Sequence, residues 1–201
     1  MIVIADYGLG NLGSIQNMFK KIGADAVVSS ERGTLEAADK IILPGVGKFD
    51  AGMTGLRERD LLEVLNRKVM DDKIPVLGIC LGMQLLTNGS DEGRLPGLGW
   101  IDGYAHHFDL DEGYKIPHMG WNKVKITNKN ELTEGMDETD KFYFVHSYYV
   151  RTKDKADMFL ATEYGIEFAS GIFHGNIFGV QFHPEKSHRY GMKLLKKFAE
   201  L

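Results

Sequence analysis

The stretch Pro75-Val76-Leu77-Gly78-Ile79-Cys80-Leu81-Gly82-Met83-Gln84 limits the possible folds of this chain more than any other. A short apolar run, Pro75–Ile79, ends at a cysteine set between two glycines, and Leu81–Leu86 reads as the start of a helix. A G-x-C-x-G pattern at a strand-to-helix joint describes a nucleophile elbow with sulfur in place of a serine oxygen. Glycines belong there because a side chain would clash at so sharp a turn. The bend exposes the nucleophile and sets it at a helix N-terminus, where the dipole favours thiolate over thiol. The competing reading is an ordinary core cysteine, since free cysteines are often buried.

The segments around the elbow predict an α/β fold. Ile2–Ala5, Ala24–Val28 and Lys40–Leu43 read as strands, and Asp6–Asn11 as a glycine-rich turn. Ile15, Met18, Phe19 and Ile22 recur at helical spacing, and Leu56, Leu61, Leu65 and Val69 fall within one long amphipathic helix. Strands alternating with helices give a parallel sheet covered on both faces, with ligands beyond the carboxyl ends of the strands. After about Gly97 the pattern becomes β-rich: Trp100–Phe108, Lys123–Ile126, Phe142–Val150, Met158–Thr162, Ile166–Phe173 and Asn176–Phe182. Turn residues between them point to hairpins that extend the sheet within a single domain, 1–201. A helix over about His188–Leu201 closes the chain, with Met192, Leu195, Phe198 and Ala199 on one side and Lys193, Lys196 and Lys197 on a solvated one.

Bulk properties narrow the function. A chain of 201 residues can bury a core unaided. A net charge of −4 gives no reason to expect a nucleic acid or an anionic membrane as partner. A lone cysteine rules out an internal disulfide and suits a reducing, cytoplasmic setting. Ile2–Ala5 is too short for a signal peptide, and no stretch approaches the ~20 apolar residues of a membrane span.

A cysteine nucleophile requires a base and a group that orients it. Among seven histidines, His106 and His107 read as surface residues, His174 flanks a turn, His188 opens the last helix, and His118 and His146 lie in aromatic surroundings. His183 stands out, in Gln181-Phe182-His183-Pro184-Glu185. Pro184 biases His183 toward an extended conformation, so His183 and Glu185 are expected on one side of a strand. The carboxylate can then orient the imidazole, leaving the other nitrogen for Cys80. Taken singly, His183 could be a structural histidine and Glu185 a helix cap. Oxyanion donors are expected from the Leu81 N–H and from Gly45-Val46-Gly47, a turn flexible enough to act as a switch. Close His/Cys spacing of the zinc-site kind is absent, so no metal is expected. A rival signal is Gly8-Leu9-Gly10-Asn11-Leu12-Gly13, a G-x-G-x-x-G turn after a strand with Glu31 beyond the next one, which fits a dinucleotide-binding module.

Taken together, these residues resemble the class I glutamine amidotransferases, with their flavodoxin-like, mostly parallel sheet flanked by helices and extended by antiparallel strands. Tyr7–Leu12, Pro44–Gly47, Gly78–Gln84, Pro117–Asn122, Phe144–Tyr148 and Gln181–Ser187 carry the likeness across nearly the whole chain. Pro117-His118-Met119-Gly120-Trp121-Asn122 is similar to the branch of glutaminase subunits that serve imidazole glycerol phosphate synthases. The resemblance implies that Cys80, His183 and Glu185 form a triad acting on L-glutamine, with no cofactor. It further implies an oxyanion hole from Val46 and Leu81, and a substrate pocket from Gly45, Gly47, Gln84, Glu92, Ser147 and Tyr148. It implies a HisF-like (β/α)8-barrel cyclase subunit as heterodimer partner, docked on Asn11, His118, Met119, Trp121, Asn122 and Lys186, and it reassigns the Gly8–Gly13 turn away from dinucleotides. Related subunits that supply ammonia for surface-sugar amidination share these motifs. A non-catalytic scaffold is the remaining alternative.

Overall fold

The computed structural model describes residues 1–201. The first half alternates as expected: β1 (Ile2–Ala5), α1 (Leu12–Lys21), β2 (Ala26–Ser29), α2 (Arg32–Glu36), β3 (Lys40–Leu43), α3 (Phe49–Glu58), α4 (Leu62–Asn66), β4 (Val76–Ile79) and α5 (Leu81–Leu85). β5 (Gly103–His107), β6 (His118–Lys123), β7 (Lys125–Ile126), β8 (Lys141–His146), β9 (Tyr148–Thr152), β10 (Met158–Tyr164), β11 (Ile166–His174) and β12 (Ile177–Val180) follow, and α6 (His188–Glu200) ends the chain.

The main sheet runs β2-β1-β3-β4-β12-β11-β10-β7, with β9 bridging β11 to β5. Strands β2, β1, β3, β4 and β12 are parallel, and the additions beyond β12 are antiparallel. β1, β3 and β4 are short, almost wholly apolar and buried, as parallel strands covered on both faces must be. Alternate residues feed two cores. Val3, Ile41 and Val76 pack with α3 and α4, while Ile4, Ile42 and Leu77 pack with α1 and α6. No helix is long and apolar enough to cross a membrane.

Five expectations need correction. The single helix through Leu56–Val69 breaks after Glu58, where Asp60 takes φ 56°, and α4 continues as a π-helical turn over Arg67–Asp71. Aspartate tolerates that left-handed conformation better than most residues, and the break turns Arg59 back to donate to the Tyr7 carbonyl. Trp100 and Ile101 are buried but not in a strand. Phe142–Val150 is two strands, β8 and β9, which bend apart at Ser147 into different sheets. The antiparallel additions do not all extend the main sheet, because β6 and β8 form a ribbon of their own. On α6, Lys193 and Lys197 are half-buried and pair with Asp140 and Glu134, so only Lys196 of the three is freely solvated.

Candidate active site

Three adjacent parallel strands end at one place. β3 leads into Pro44-Gly45-Val46-Gly47, β4 into Cys80, and β12 into Gln181-Phe182-His183. Leu43 pairs with Gly78 across β3 and β4, and Ile79 with Val180 across β4 and β12. That register brings residues a hundred positions apart to the same edge of the sheet.

The elbow is built by close approach. Cys80 adopts φ 54°, ψ −108°, a strained conformation for a residue with a side chain. A Cβ on Gly82 would stand 1.8 Å from the Leu43 carbonyl oxygen, and one on Gly78 2.7 Å from Gly82. Both flanking glycines are therefore fixed by lack of space. The Cys80 N–H is held by the Val180 carbonyl at 2.8 Å, while the Leu81 N–H has no acceptor in the fold.

His183 is 1 % exposed, and its Nδ1 lies 2.8 Å from Glu185 Oε1. The expected contact is present but its geometry differs. β12 stops at Val180, and Glu185 sits in a 3-10 turn over Pro184–Lys186 rather than on an extended strand. The His183 N–H donates to the Tyr143 carbonyl at 2.9 Å, and Ser187 Oγ donates to the His183 carbonyl, which pins the backbone beneath the ring. Burial alone pushes the imidazole pKa down; contacts with Cys80 and Glu185 outweigh it and carry it up to about 10. Nε2 forms no well-aligned hydrogen bond, although the Cys80 sulfur is near enough to act on it. Catalytic hydrogen bonds are often loose in a protein without its substrate.

Around these residues lies a cavity of about 320 Å³, lined by Val46, Gly47, Cys80, Leu81, Gln84, Glu92, Ser147, Tyr148 and His183, with Pro117, Val145 and His146. Gly45 lies behind this lining, packed on Tyr7 and Leu81. Glu92 Oε2 accepts from the Phe49 N–H at the start of α3. Carbonyls that Ser147 and Tyr148 could have offered a ligand are already engaged. Phe108 N–H donates to Ser147, and both Gln84 Nε2 (3.3 Å) and His146 Nδ1 (2.8 Å) donate to Tyr148. The Ser147 N–H remains without an acceptor.

The Tyr148 carbonyl can only accept, so it sets the polarity of a buried chain of hydrogen bonds. His146 Nδ1 must carry a proton, and its Nε2 then accepts from His118 Nδ1 at 3.0 Å. His118 Nε2 in turn faces the Asn122 amide nitrogen at 3.3 Å. Burial pushes His118 down to about 4. It also pushes His146 down, to about 3, against the raising effect of the Tyr148 carbonyl. Both rings are accordingly neutral, as this pattern requires. His118 was expected at the partner surface. It is 3 % exposed and faces inward, stacked between Phe144 and Tyr164, because the β6 pleat turns alternate side chains to opposite faces. Met119 and Trp121 are exposed, at 61 % and 42 %. Lys186 is exposed over the Tyr143 ring, and Asn11 and Asn122 are half-buried. Tyr114 covers one side of this aromatic box, packing edge-on to Tyr164, whose hydroxyl donates to the Lys115 carbonyl.

The glycine turn after β1 is occupied by protein. Arg59 lies over Gly8, where an added Cβ would meet its guanidinium at 3.0 Å, and Gly10 packs on Pro44. Tyr7, buried, donates its hydroxyl to the Pro44 carbonyl; burial, with a smaller effect of Cys80, raises its pKa. The turn thus supports the Gly45–Gly47 loop from below.

A cysteine after β4 and an imidazole–carboxylate pair after β12 thus meet at one cavity beside the β3 loop, and the chain belongs to the class I glutamine amidotransferases. Residues 3–201 match the family Glutamine amidotransferase class-I. Within that class, curated relatives similar to it over its full length include HisH subunits of imidazole glycerol phosphate synthase. It is 56% identical over 198 residues to HisH 2 of Methanococcus maripaludis, covering 98% of both chains. It is 50% identical over 201 residues to HisH 2 of Pseudomonas aeruginosa, covering 100% of both. Among solved structures, that of PurLQS from Thermotoga maritima superposes with TM-score 0.76 at 18% identity, covering 99% of this chain and 96% of that one. A crystal structure of a glutamine amidotransferase superposes with TM-score 0.75 at 16% identity, covering 100% and 99%. At those identities the structural likeness speaks for the fold alone.

Proposed function

We propose that this chain is the glutaminase subunit of an imidazole glycerol phosphate synthase, using Cys80, His183 and Glu185 to release ammonia from L-glutamine for a HisF-like barrel subunit. The observation that carries the reading is the convergence of the Cys80 elbow, the buried His183–Glu185 pair and the acceptor-free backbone N–H groups of Val46, Leu81 and Ser147 on one cavity.

Cys80 Sγ attacks the side-chain amide carbon of glutamine, and charge develops on the carbonyl oxygen. The Leu81 N–H receives that charge, with Val46 as the second donor; such donors contribute roughly 3–4 kcal/mol each to the transition state. His183 Nε2 gives its proton to the departing nitrogen, and ammonia leaves a glutamyl thioester. The neutral imidazole then takes a proton from water, which attacks the thioester, and glutamate leaves as the thiol is restored. Glu185 holds Nδ1 and stabilises the imidazolium in both steps. Glu92 suits the substrate ammonium, the Ser147 N–H suits its carboxylate, and Gln84, whose amide hydrogens are engaged within the fold, offers its Oε1. Asn11, Met119, Trp121, Asn122 and Lys186 form the docking face for the barrel.

Treatment with 6-diazo-5-oxo-norleucine, a glutamine-like electrophile, is expected to modify Cys80 alone, faster with the barrel subunit bound. Cys80→Ala is expected to lose both labelling and glutamate release while still binding the barrel. Labelling elsewhere, or none in the complex, overturns the assignment. Co-purification with a barrel subunit from another pathway would keep the chemistry and change the acceptor.

A further inference from the structure

One buried polar side chain at the nucleophile has no part in the mechanism above. Gln181 is fully buried, and its Nε2 lies 3.7 Å from Cys80 Sγ. Strand register explains the contact. Val180 pairs with Ile79 in parallel, so the next residue of each strand, Gln181 and Cys80, comes to lie side by side where the strands end.

Which amide atom faces the sulfur follows from the neighbours. The Tyr148 carbonyl accepts from Gln84 Nε2 at 3.3 Å, and the same nitrogen lies 3.2 Å from Gln181 Oε1. An amide nitrogen only donates, so Gln181 must present oxygen to Gln84 and nitrogen to Cys80. The Gln181 backbone is fixed as well, its N–H donating to the Ser170 carbonyl at 3.0 Å. The amide cannot turn over without stranding two donors against each other in a buried place, which is costly.

We propose that Gln181 is a further catalytic residue, donating its side-chain N–H to the Cys80 sulfur and stabilising the thiolate that attacks glutamine. A neutral thiol is a weak acceptor and a thiolate a strong one, so the donation strengthens in the state from which the reaction starts. An apolar side chain would fill the same space without needing Gln84 to satisfy its oxygen. Gln181 and the His183 imidazolium thus serve the sulfur as separate donors, one rigid and one that gives up its proton in the reaction.

This inference rests on the reading of Cys80 as the nucleophile, and the test separates the two. The rate of Cys80 alkylation by iodoacetamide is measured against pH in the full-length chain. Gln181→Leu is expected to move the half-maximal pH up by about one unit, the effect of losing a hydrogen bond to a charged group. In the complex with the barrel subunit it is expected to lower kcat about tenfold, with a much smaller change in KM. Gln181→Glu keeps an acceptor for Gln84 but sets a carboxylate against the sulfur, and is expected to move the midpoint further in the same direction. Variants that fold with parental circular dichroism and keep the parental profile overturn the proposal. Should neither fold, the wild-type chain labelled with ¹⁵N decides. The Gln181 side-chain amide resonance is expected to titrate with the alkylation midpoint, and one that ignores it overturns the proposal. A wild-type Cys80 that reacts at no pH overturns this inference and the glutaminase reading together. A reactive Cys80 whose profile ignores Gln181 overturns this inference alone.

Discussion

His118 and His146 are held neutral by burial, and this has a cost on the acid side. Their folded-state pKa values, about 4 and about 3, lie below the unfolded value near 6.5, so the unfolded chain binds more protons in between. Stability from this pair is complete above pH 6.5 and declines as pH falls below it. Between pH 7 and pH 5 each ring is expected to remove about 2 kcal/mol, at ~1.36 kcal/mol per pKa unit. Urea unfolding at the two pH values measures it, and in a His118→Gln, His146→Gln double variant the acid slope should flatten. His183 has the opposite sign. Its pKa is raised, so its contribution is complete below about 6.5 and is lost as pH climbs toward 10. Its orienting partner has a kinetic role. Glu185→Gln keeps the size of the side chain but removes the charge that stabilises the imidazolium, and kcat is expected to fall about 10²- to 10⁴-fold, by analogy with carboxylate loss in other triads. A steady-state assay of glutamate release checks it, and a change confined to KM would contradict it.

Elements with strong local signals were legible in the sequence, and those defined by distant partners were not. The elbow could be read because strain, two glycines and one sulfur fall within five residues. Gly82 states the reason most sharply: with the Leu43 carbonyl 1.8 Å from where a methyl would go, Gly82→Ala is expected to destabilise the chain by about 3 kcal/mol or more, measured by denaturant midpoint. His183 and Glu185 were found from their spacing, but the 3-10 turn that joins them was not, because proline at its first position suits an extended chain and a helix start equally. The β6–β8 ribbon was missed because its residues pair with each other rather than with the main sheet. Asn122 and His146 could not be seen as links in one chain until that pairing was known. Gln181 carried a faint signal: a glutamine in the apolar run Ile177–Phe182 requires a buried partner. The ribbon also connects outside to inside. Trp121, on its exposed side, pairs with Tyr143, whose carbonyl accepts the His183 N–H. Trp121→Ala is expected to weaken barrel binding by about 2 kcal/mol, roughly thirtyfold, as loss of a central aromatic anchor does. Titration calorimetry of the two subunits reads the loss directly.

At the scale of the whole molecule, the site is assembled on one edge of a rigid sheet, but one of its parts is a loop. Cys80, His183 and the Leu81 N–H sit on strand ends locked by parallel register. Val46, by contrast, lies between Gly45 and Gly47, is 40 % exposed, and its N–H has no acceptor in the fold. A donor presented by so small a contact surface is the part a docked partner can most readily reposition. The isolated chain is therefore expected to turn over glutamine at least about 10²-fold more slowly than the complex, the effect of one missing oxyanion donor. Gly47 makes docking and activation separable. Its φ of +114° is accessible to glycine, and a Cβ there would meet nothing closer than 3.8 Å. Gly47→Ala thus disturbs the loop's conformations without a clash and lies outside the Met119–Trp121 surface. Barrel affinity is expected to stay within about threefold of wild type, while the activation produced by the barrel falls about tenfold or more. Equal losses of affinity and activation would place the loop in the docking surface and remove it as the adjustable half of the oxyanion hole.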